Sequence, residues 1–404
     1  MKKNLIVGQS GGPTAVINCS LYGVVTGAYR EEQIDKVYGM VNGIDGFLKG
    51  KKLDFQAMWE DGSLEKLRTT PGAFLGSCRY KLPEDLTDAV YDTIFSKLEE
   101  LNVGYFCYIG GNDSMDTVSK LSRVGAARKS DIRFMGVPKT IDNDLVLTDH
   151  TPGYGSAARY VAETVREITY DASVYDSKSV TIVEIMGRDA GWLTASSVLA
   201  READRKNPAL IYLPEVNFDI DKFIGQVQEA MKDQPNLVVC VSEGIHDDQG
   251  KLICEYESET GLDSFGHKML AGCGKYLEKL VKNRLGCKVR SIELNVCQRC
   301  SAAMMSAADQ EEAVKAGAFA AASAVAGTTG MMAAFQRQEG EYRVECVLRD
   351  VNEICNKVKN VPLEWIIGEG SDLAPAFTDY VKPLVQGAVQ LPLGEDGLPA
   401  FVKR

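Results

Sequence analysis

The sequence predicts an α/β protein with a mainly parallel sheet, because short apolar runs alternate with segments of helical periodicity. The runs lack polar alternation, which is typical of strands buried on both faces. At ~150 residues per domain, a chain of 404 residues is expected to form two to three domains. The predicted strands are residues 5–7, 105–109, 134–137, 180–185 and 237–241. The predicted helices are residues 15–29, 86–101, 157–170 and 220–231.

Composition and charge exclude several classes of protein. Hydrophobic residues make up 45% of the chain and charged residues 25%, which fits a globular protein rather than a disordered one. The net charge of −11 argues against a general nucleic-acid binder but leaves room for a local basic pocket. The 11 cysteines are scattered, so we expect reduced thiols and a cytoplasmic protein. Residues 317–335 are too rich in small side chains for a membrane span and predict a packed helix plus a loop.

Two glycine-rich loops follow predicted strands, at the sheet edge where parallel α/β folds bind ligands. The first contains Gly8, Gly11 and Gly12, and glycines let a backbone approach phosphate oxygens at a helix N-terminus. It matches neither the dinucleotide fingerprint nor the P-loop, so an ordinary turn is an equal alternative. The second, residues 110–114, is either another phosphate or metal–phosphate contact or a tight turn with Ser114 as N-cap.

A third loop carries the strongest chemical signal. Lys139 is followed by Asp142 and Asp144, two carboxylates separated by one residue. One carboxylate can accept a proton from a substrate hydroxyl while its neighbour helps to hold Mg²⁺. An Asx-turn loop is the alternative. Arg188 and Arg299 add guanidinium groups suited to bidentate phosphate contact, although a single arginine is usually a solvated surface residue.

Cys297 and Cys300 form a lone C-x-x-C pair. Such a pair can be a redox centre or half of a zinc site. No second pair follows in the sequence, and His150, His246 and His267 do not have metal-ligand spacing to it. Redox or zinc chemistry is therefore a minor alternative.

The segments GGPTAVIN, GGNDS, PKTIDND, VEIMGR, SEG and QR occur in an order that resembles the phosphofructokinase family, over about residues 4–323. The resemblance implies two Rossmann-like α/β/α domains with mainly parallel sheets and an active site in the cleft between them. The larger domain would be residues 1–150 plus about 300–335 and bind pyrophosphate and Mg²⁺. The smaller domain, residues 151–299, would bind the sugar phosphate. The resemblance does not place residues 336–404.

Two positions distinguish the phosphoryl donors used within this family. Enzymes that use ATP typically carry a glycine where this chain has Asp113, and mostly a glycine where it has Lys139. Asp113 and Lys139 resemble the pyrophosphate-using branch. A carboxylate at the first position fills the space beside the ATP α-phosphate and repels it. An ammonium at the second position stabilises transferring phosphoryl charge.

The resemblance implies phosphoryl transfer to the C1 hydroxyl of fructose 6-phosphate in glycolysis or gluconeogenesis. Asp142 would be the general base, and Lys139, Asp113 and Arg79 would complete the catalytic set. Arg290 would reach a neighbouring subunit's site, which implies a homo-oligomer, a dimer or tetramer, with shared active sites. The positions matched to pyrophosphate binding are Gly11, Gly12 and Lys139. Those matched to sugar-phosphate binding are Thr140, Ile141, Asp142, Met186, Gly187, Arg188, Glu243, Arg290, Val296 and Arg299.

The chain also departs from the family pattern. The family's metal-binding aspartate is Asn112 here, whose amide oxygen can coordinate Mg²⁺ without contributing charge. Asp113 or Asp144 is a candidate to compensate for the missing charge. Val296 replaces a histidine of many relatives, so the substrate phosphate is expected to meet a different set of cations.

Three alternatives remain open at this point. The first is an ATP-dependent phosphofructokinase, which would need room for a nucleotide beside Asp113. The second is a non-catalytic regulatory relative, against which the presence of Asp142, Asp144 and Arg188 argues. The third is a redox protein that uses Cys297 and Cys300.

Overall fold

A computed structural model describes residues 2–256 and 272–404. It confirms the predicted α/β class with mainly parallel sheets, and all five predicted strands lie within observed ones. The strands are β1 Lys3–Gln9, β2 Ile34–Met40, β3 Lys52–Asp54, β4 Val103–Gly110, β5 Arg133–Pro138, β6 Ser179–Ile185, β7 Leu210–Tyr212, β8 Asn236–Ser242, β9 Lys288–Glu293, β10 Met331–Arg337, β11 Val344–Asp350, β12 Ile366–Ile367 and β13 Asp372–Leu373. The α-helices are α1 Ile17–Tyr29, α2 Gly43–Leu48, α3 Gln56–Glu60, α4 Ala89–Glu100, α5 Asn112–Ala127, α6 Tyr154–Ala172, α7 Trp192–Ala195, α8 Ile220–Asp233, α9 Cys273–Leu285, α10 Cys297–Cys300, α11 Ala307–Val325, α12 Val351–Ile354 and α13 Pro375–Val381.

The larger sheet has seven strands in the order β11-β10-β5-β4-β1-β2-β3. Its central strands pair in parallel, whereas β3 and β11 are antiparallel strands at the two edges. Nearly all residues of β1 and β4 are buried, on both faces of the sheet, which explains why these runs lack polar alternation in the sequence. The loops after β1, β4 and β5 therefore leave the same edge of the sheet.

Close helix packing explains the many small residues between positions 317 and 335. A Cβ atom on Gly23 of α1 would lie 2.1 Å from the carbonyl oxygen of Val314, and one on Gly317 of α11 would lie 2.2 Å from that of Ser20. The two helices thus approach to backbone contact. The segment continues past its loop into β10, a strand that the sequence prediction of a helix plus a loop omitted. No described helix is long and apolar enough to cross a membrane.

The smaller sheet has four parallel strands in the order β7-β8-β6-β9. Every residue of β8 is buried, and β9 forms an edge with alternating exposed positions. The loops after β6 and β8 leave this sheet at its carboxyl edge, again the place where ligands bind. The domain boundaries proposed above stay a prediction.

The end of the chain packs on both sheets. Strands β10 and β11 extend the larger sheet, so part of the segment beyond residue 335 belongs there. Val361, Leu373, Phe377 and Leu384 then join the core beneath the smaller sheet. The last residues return to the larger sheet's side, where the Val402 backbone N–H donates to Thr70 Oγ1 at 3.0 Å.

Candidate active site

A cavity of about 520 Å³ lies between the loops at the carboxyl ends of the two sheets. It brings together residues that the sequence separates by more than 280 positions, from Gly11 to Arg299. The sequence-predicted residues that line the cavity are Gly11, Gly12, Arg79, Asn112, Asp113, Lys139, Thr140, Ile141, Asp142, Asp144, Met186, Arg188, Glu243 and Arg299.

The first glycine-rich loop brings two cations against its backbone. The Lys139 ammonium donates a 2.7 Å hydrogen bond to the carbonyl oxygen of Gly12. A Cβ atom on Gly12 would lie 2.8 Å from Nη1 of Arg299, and Gly11 has a φ of +74° that favours glycine. Glycine at position 11 is favoured by the backbone conformation, and glycine at position 12 lets the Arg299 guanidinium lie against the loop, so two positive groups face the cavity.

The second glycine-rich loop differs from the sequence prediction in its cap. Gly111, not Ser114, occupies the N-cap of α5, and Ser114 lies within the first turn. The Ser114 hydroxyl instead hydrogen-bonds the hydroxyl of Ser10, which ties the loops after β1 and β4 together. Asp113 lies in the same turn, where its carboxylate is 3.5 Å from the ammonium of Lys81. Both of those side chains are more than half exposed.

The loop after β5 holds a buried cation beside a carboxylate. Lys139 is 4% exposed, and burial lowers its pKa to about 8, against the opposing effect of Asp142 and Asp144. Burial likewise raises the pKa of Asp142, although Lys139 and a hydrogen bond from Thr140 act in the opposite direction. The Asp142 backbone N–H donates to Thr140 Oγ1 at 3.1 Å, which fixes the start of the turn. A carboxylate with a raised pKa next to an ammonium is suited to accept a proton from a hydroxyl group.

Asn112 and Asp144 present oxygens that could hold a divalent cation. The Oδ1 atoms of both side chains are buried and have no hydrogen-bond partner. Their other atoms face each other, with Asn112 Nδ2 donating to Asp144 Oδ2 at 3.5 Å. Burial and the neighbouring Asp142 raise the pKa of Asp144 to about 7. Oxygen ligands from one carboxylate and one amide fit Mg²⁺, which usually keeps several waters and binds substrate phosphates.

The opposite side of the cavity is formed by the loops after β6 and β8. Gly187 has a φ of +138°, and its backbone N–H donates to Glu243 Oε1 at 3.3 Å. Its carbonyl oxygen accepts a hydrogen bond from the Ser242 hydroxyl, so the two loops are joined twice. Burial raises the pKa of Glu243 to about 7. The buried Nε of Arg188 has no hydrogen-bond partner, which leaves a donor available to a ligand.

Three predicted residues do not line the cavity. Gly187 lies outside the cavity lining, and its backbone hydrogen-bonds Glu243 and Ser242. Arg290 lies on the edge strand β9, where its guanidinium is 3.6 Å from Asp171 Oδ2. Val296 is 47% exposed at the start of α10. The implied role of Arg290 in a neighbouring subunit stays a prediction.

The cysteine pair does not form a described metal site. Cys297 and Cys300 are exposed free thiols that flank Arg299 on α10. Within residues 2–256 and 272–404, no group of three or more histidine, cysteine, aspartate or glutamate side chains could hold a metal ion. His267 lies outside the described residues.

The structure adds cavity residues that the sequence reading missed. Asp189 is adjacent to Arg188 in the loop after β6, and Lys81 is two residues from Arg79, so both lie close in sequence to predicted residues. Asn356 and Val358 come from the chain beyond β11 and gave no such signal. Between them, the carbonyl oxygen of Lys357 accepts a 3.0 Å hydrogen bond from Asn112. The C-terminal segment thus closes one side of the cavity.

The fold is that of the phosphofructokinases, and the chain belongs to that family, whose model matches residues 4–360. A pyrophosphate--fructose 6-phosphate 1-phosphotransferase of Xanthomonas campestris is 38% identical over 99% of this chain and 95% of the relative. A protein of the same name from Rhodospirillum rubrum is also 38% identical, over 95% of this chain and 94% of the relative. The crystal structure of a pyrophosphate-dependent phosphofructokinase from Nitrosospira multiformis superposes with a TM-score of 0.90 at 33% identity, covering 100% of this chain and 96% of that one.

Proposed function

We propose that this chain is a pyrophosphate-dependent phosphofructokinase, which transfers a phosphoryl group to the C1 hydroxyl of fructose 6-phosphate. The products are fructose 1,6-bisphosphate and phosphate, and the reaction is reversible. The observation that carries the proposal is the buried Lys139 ammonium, held against the first glycine-rich loop and within the electrostatic reach of Asp142. The names of the relatives similar over nearly the whole chain support the same reaction.

The chemistry follows from the two groups on the loop after β5. Asp142 takes the proton from the C1 hydroxyl of the sugar. The hydroxyl oxygen bonds to a phosphorus atom of pyrophosphate as the bridging P–O bond breaks. The leaving phosphate takes the electron pair of that bond. Lys139 and Arg79 neutralise charge on the transferring group, which is the main way in which such enzymes lower the barrier.

Mg²⁺ is the proposed cofactor, and when bound it would neutralise charge on the pyrophosphate oxygens. Asn112 and Asp144 would hold it through their unpartnered Oδ1 atoms. Asp113 is a weaker candidate, because its carboxylate faces Lys81 on the cavity rim. Asp144 has to be deprotonated to act as a ligand, and a nearby cation would favour that form.

The donor preference is attributed to Asp113 and Lys139. A nucleotide α-phosphate near the first turn of α5 would meet the negative charge of Asp113, although Lys81 offsets part of it. Pyrophosphate has no nucleotide α-phosphate to place beside Asp113, and Lys139 can neutralise part of its negative charge.

The sugar phosphate would be held by the other side of the cavity. Arg188 and Arg299 supply guanidinium groups, and Glu243 can accept hydrogen bonds from sugar hydroxyls. Arg290, being away from this cavity, would act in the site of a partner subunit, so we propose a homo-oligomer, a dimer or tetramer. We further propose that the enzyme is cytoplasmic and serves glycolysis or gluconeogenesis.

The test is fructose 1,6-bisphosphate formation in the presence of Mg²⁺, with pyrophosphate or ATP as the donor. We expect turnover with pyrophosphate and little with ATP, and Asp142→Ser serves as the control for a contaminating kinase. Turnover with ATP alone would overturn the donor assignment. Tight sugar-phosphate binding without turnover from either donor would instead indicate a regulatory relative.

Asp113→Gly tests the donor argument directly. Removing the carboxylate should raise ATP-dependent turnover while pyrophosphate remains the better donor, because Lys139 is retained. The matched control is Lys81→Met, which leaves the Asp113 charge uncompensated and should lower any residual ATP use further. If the two variants leave the donor ratio unchanged, Asp113 does not select the donor.

A further inference from the structure

The loop that carries Asp142 and Asp144 turns on the residue between them. Asn143 is fully buried and has a φ of +54°, in the left-handed region that asparagine tolerates better than most residues. Its side chain points away from the cavity that its two neighbours line. The groups that hold the Asn143 side chain therefore help to fix the backbone from which both carboxylates project.

Two residues of the C-terminal segment hold that side chain. The Asn143 Nδ2 donates to the hydroxyl of Tyr380 at 2.8 Å, and its Oδ1 accepts from the Lys359 ammonium at 3.3 Å. The Oδ1 also accepts the backbone N–H of Thr151 at 3.1 Å. Each polar atom of a fully buried amide is thereby satisfied, which gives the turn one preferred arrangement.

The same two residues also bind the loop's backbone. The Lys359 ammonium donates to the carbonyl oxygens of Thr148 and Asp149 at 3.2 and 2.9 Å. The backbone N–H of Lys359 donates to the carbonyl oxygen of Asp144 at 2.8 Å. The Tyr380 hydroxyl donates to the Asp149 carbonyl oxygen at 2.8 Å. Lys359 and Tyr380 thus contact the loop at residues 143–144 and again at residues 148–149.

Lys359 and Tyr380, which together form a clamp on this loop, are themselves held by residues from both sheets' sides. Arg337 donates to the Tyr380 carbonyl oxygen at 3.1 Å and to Asp149 Oδ1 at 2.9 Å. Trp192, from the smaller sheet's side, donates its indole N–H to the Lys359 carbonyl oxygen at 2.7 Å. The C-terminal segment therefore joins the loop to elements of both sheets. Tyr380 also lies beyond residue 360, where the match to the family model ends.

We propose that Lys359 and Tyr380 are positioning residues for the reaction, which act through Asn143 to aim the carboxylates of Asp142 and Asp144 into the cavity. Neither residue lines the cavity, so neither touches substrate. The proposal rests on the function proposed above for Asp142 and Asp144. Misaligning a reacting group by about 1 Å can cost roughly a hundredfold in rate without weakening substrate binding.

The first test compares Tyr380→Phe with Tyr212→Phe. Both variants lose one tyrosine hydroxyl, but the Tyr212 hydroxyl donates to Gln226 on helix α8, away from the loop. Tyr380→Phe loses two hydrogen bonds, to Asn143 and to the Asp149 carbonyl oxygen, whereas Tyr212→Phe loses one. At saturating Mg²⁺, we expect Tyr380→Phe to lower kcat about tenfold with both substrate KM values within about twofold, and Lys359→Met to lower kcat further. Both tyrosine variants should stay folded at the assay temperature, and Tyr380→Phe should unfold at the lower temperature because it loses the additional bond. An equal kcat loss in Tyr212→Phe, or a kcat for Tyr380→Phe within about twofold of the unmodified chain, would overturn the proposal.

The second test asks whether Tyr380 acts through Asn143. Asn143→Gly removes the amide while keeping the positive φ accessible. We expect the double variant with Tyr380→Phe to lose no more kcat than Asn143→Gly alone, because one pathway is interrupted in both. Losses that multiply would contradict action through Asn143.

A binding readout separates this proposal from the function proposed above. Calorimetric titration with Mg²⁺ and pyrophosphate requires no turnover, and Asp144 is the proposed metal ligand. We expect Tyr380→Phe and Lys359→Met to weaken Mg²⁺ binding about tenfold, the usual effect of losing a group that orients a ligand. If the unmodified chain lacks turnover but this difference appears, the reaction is wrong and the clamp stands. If turnover appears but neither kcat nor Mg²⁺ affinity changes in the variants, only the clamp is wrong.

Discussion

The two sides of the cavity differ in the kind of groups that they present. The side of the larger sheet concentrates charge of both signs on one short loop, with Lys139 beside Asp142 and Asp144. The side of the smaller sheet presents Arg188 and Glu243 on two loops joined through Gly187. Opposite charges close together, in a site screened from water, suit bond making and breaking. Hydrogen-bond donors and acceptors on two loops that are bonded to each other suit recognition of the sugar phosphate. The comparison predicts that changes on the first side lower kcat and changes on the second raise KM.

The largest effect is expected for Asp142→Ser on the side of the larger sheet. Loss of a general base costs about a hundredfold to ten-thousandfold, and the serine hydroxyl keeps the site polar. We expect kcat to fall in that range while the KM for fructose 6-phosphate changes by less than about threefold. Steady-state kinetics in both directions measure the effect, and near-normal turnover would remove Asp142 from its proposed role.

Glu243→Gln should give the opposite result. The amide keeps one oxygen that can accept from the Gly187 backbone N–H but loses the charge that attracts sugar hydroxyls. We expect the KM for fructose 6-phosphate to rise about tenfold, with kcat and the KM for pyrophosphate little changed. A fall in kcat with an unchanged KM would show that the two sides do not divide the work in this way.

The metal site offers a third contrast, within the larger sheet's side. Asp144→Asn removes the charge of one proposed ligand, whereas Asn112→Asp adds one at the neighbouring ligand. We expect the Mg²⁺ concentration for half-maximal activity to rise about tenfold or more in the first variant and to fall in the second. An identical Mg²⁺ dependence in both would place the metal elsewhere.

The pH dependence tests the buried ammonium. Burial lowers the pKa of Lys139 to about 8, so the free enzyme loses this positive charge as the pH rises through that value. We expect kcat/KM to fall about tenfold per pH unit above pH 8, because kcat/KM reports the ionisation of the free enzyme. Lys139→Arg stays charged and should move that decline to higher pH. A decline that does not move would belong to another group.

The smallest effect is expected at the cysteine pair. Cys297 and Cys300 are exposed and flank Arg299 but do not line the cavity. Replacing both with serine should leave kcat and both KM values within about twofold, and treatment with a mild oxidant should then make no further difference. A large loss of turnover in the double variant would revive the redox alternative.

Much of the fold and of the site was predictable from local sequence. Continuous apolar runs identified the central strands, because a strand buried on both faces must be apolar at every position, as in β4 and β8. The loops after such strands leave the same edge of their own sheet, so Lys139 and Asp142 could be grouped with the glycine-rich loops without coordinates. Glu243 follows β8 of the other sheet, and only the family resemblance assigned it to the same site. Weakly patterned strands such as β11, whose residues are nearly all only partly buried, carried no comparable signal.

By itself, therefore, the sequence determined five of the buried strands, the loops that follow them and which of those loops carry charge. The tertiary structure alone decided how distant segments complete the site. A Cβ atom on Gly12 would lie 2.8 Å from Nη1 of Arg299. Asn143 is held by Lys359 and Tyr380, which are more than 200 positions away in the sequence. The contacts to Asn143 depend on where the C-terminal segment packs, and that packing follows from apolar side chains dispersed among charged ones. Local periodicity does not encode which of two sheets such side chains will cover.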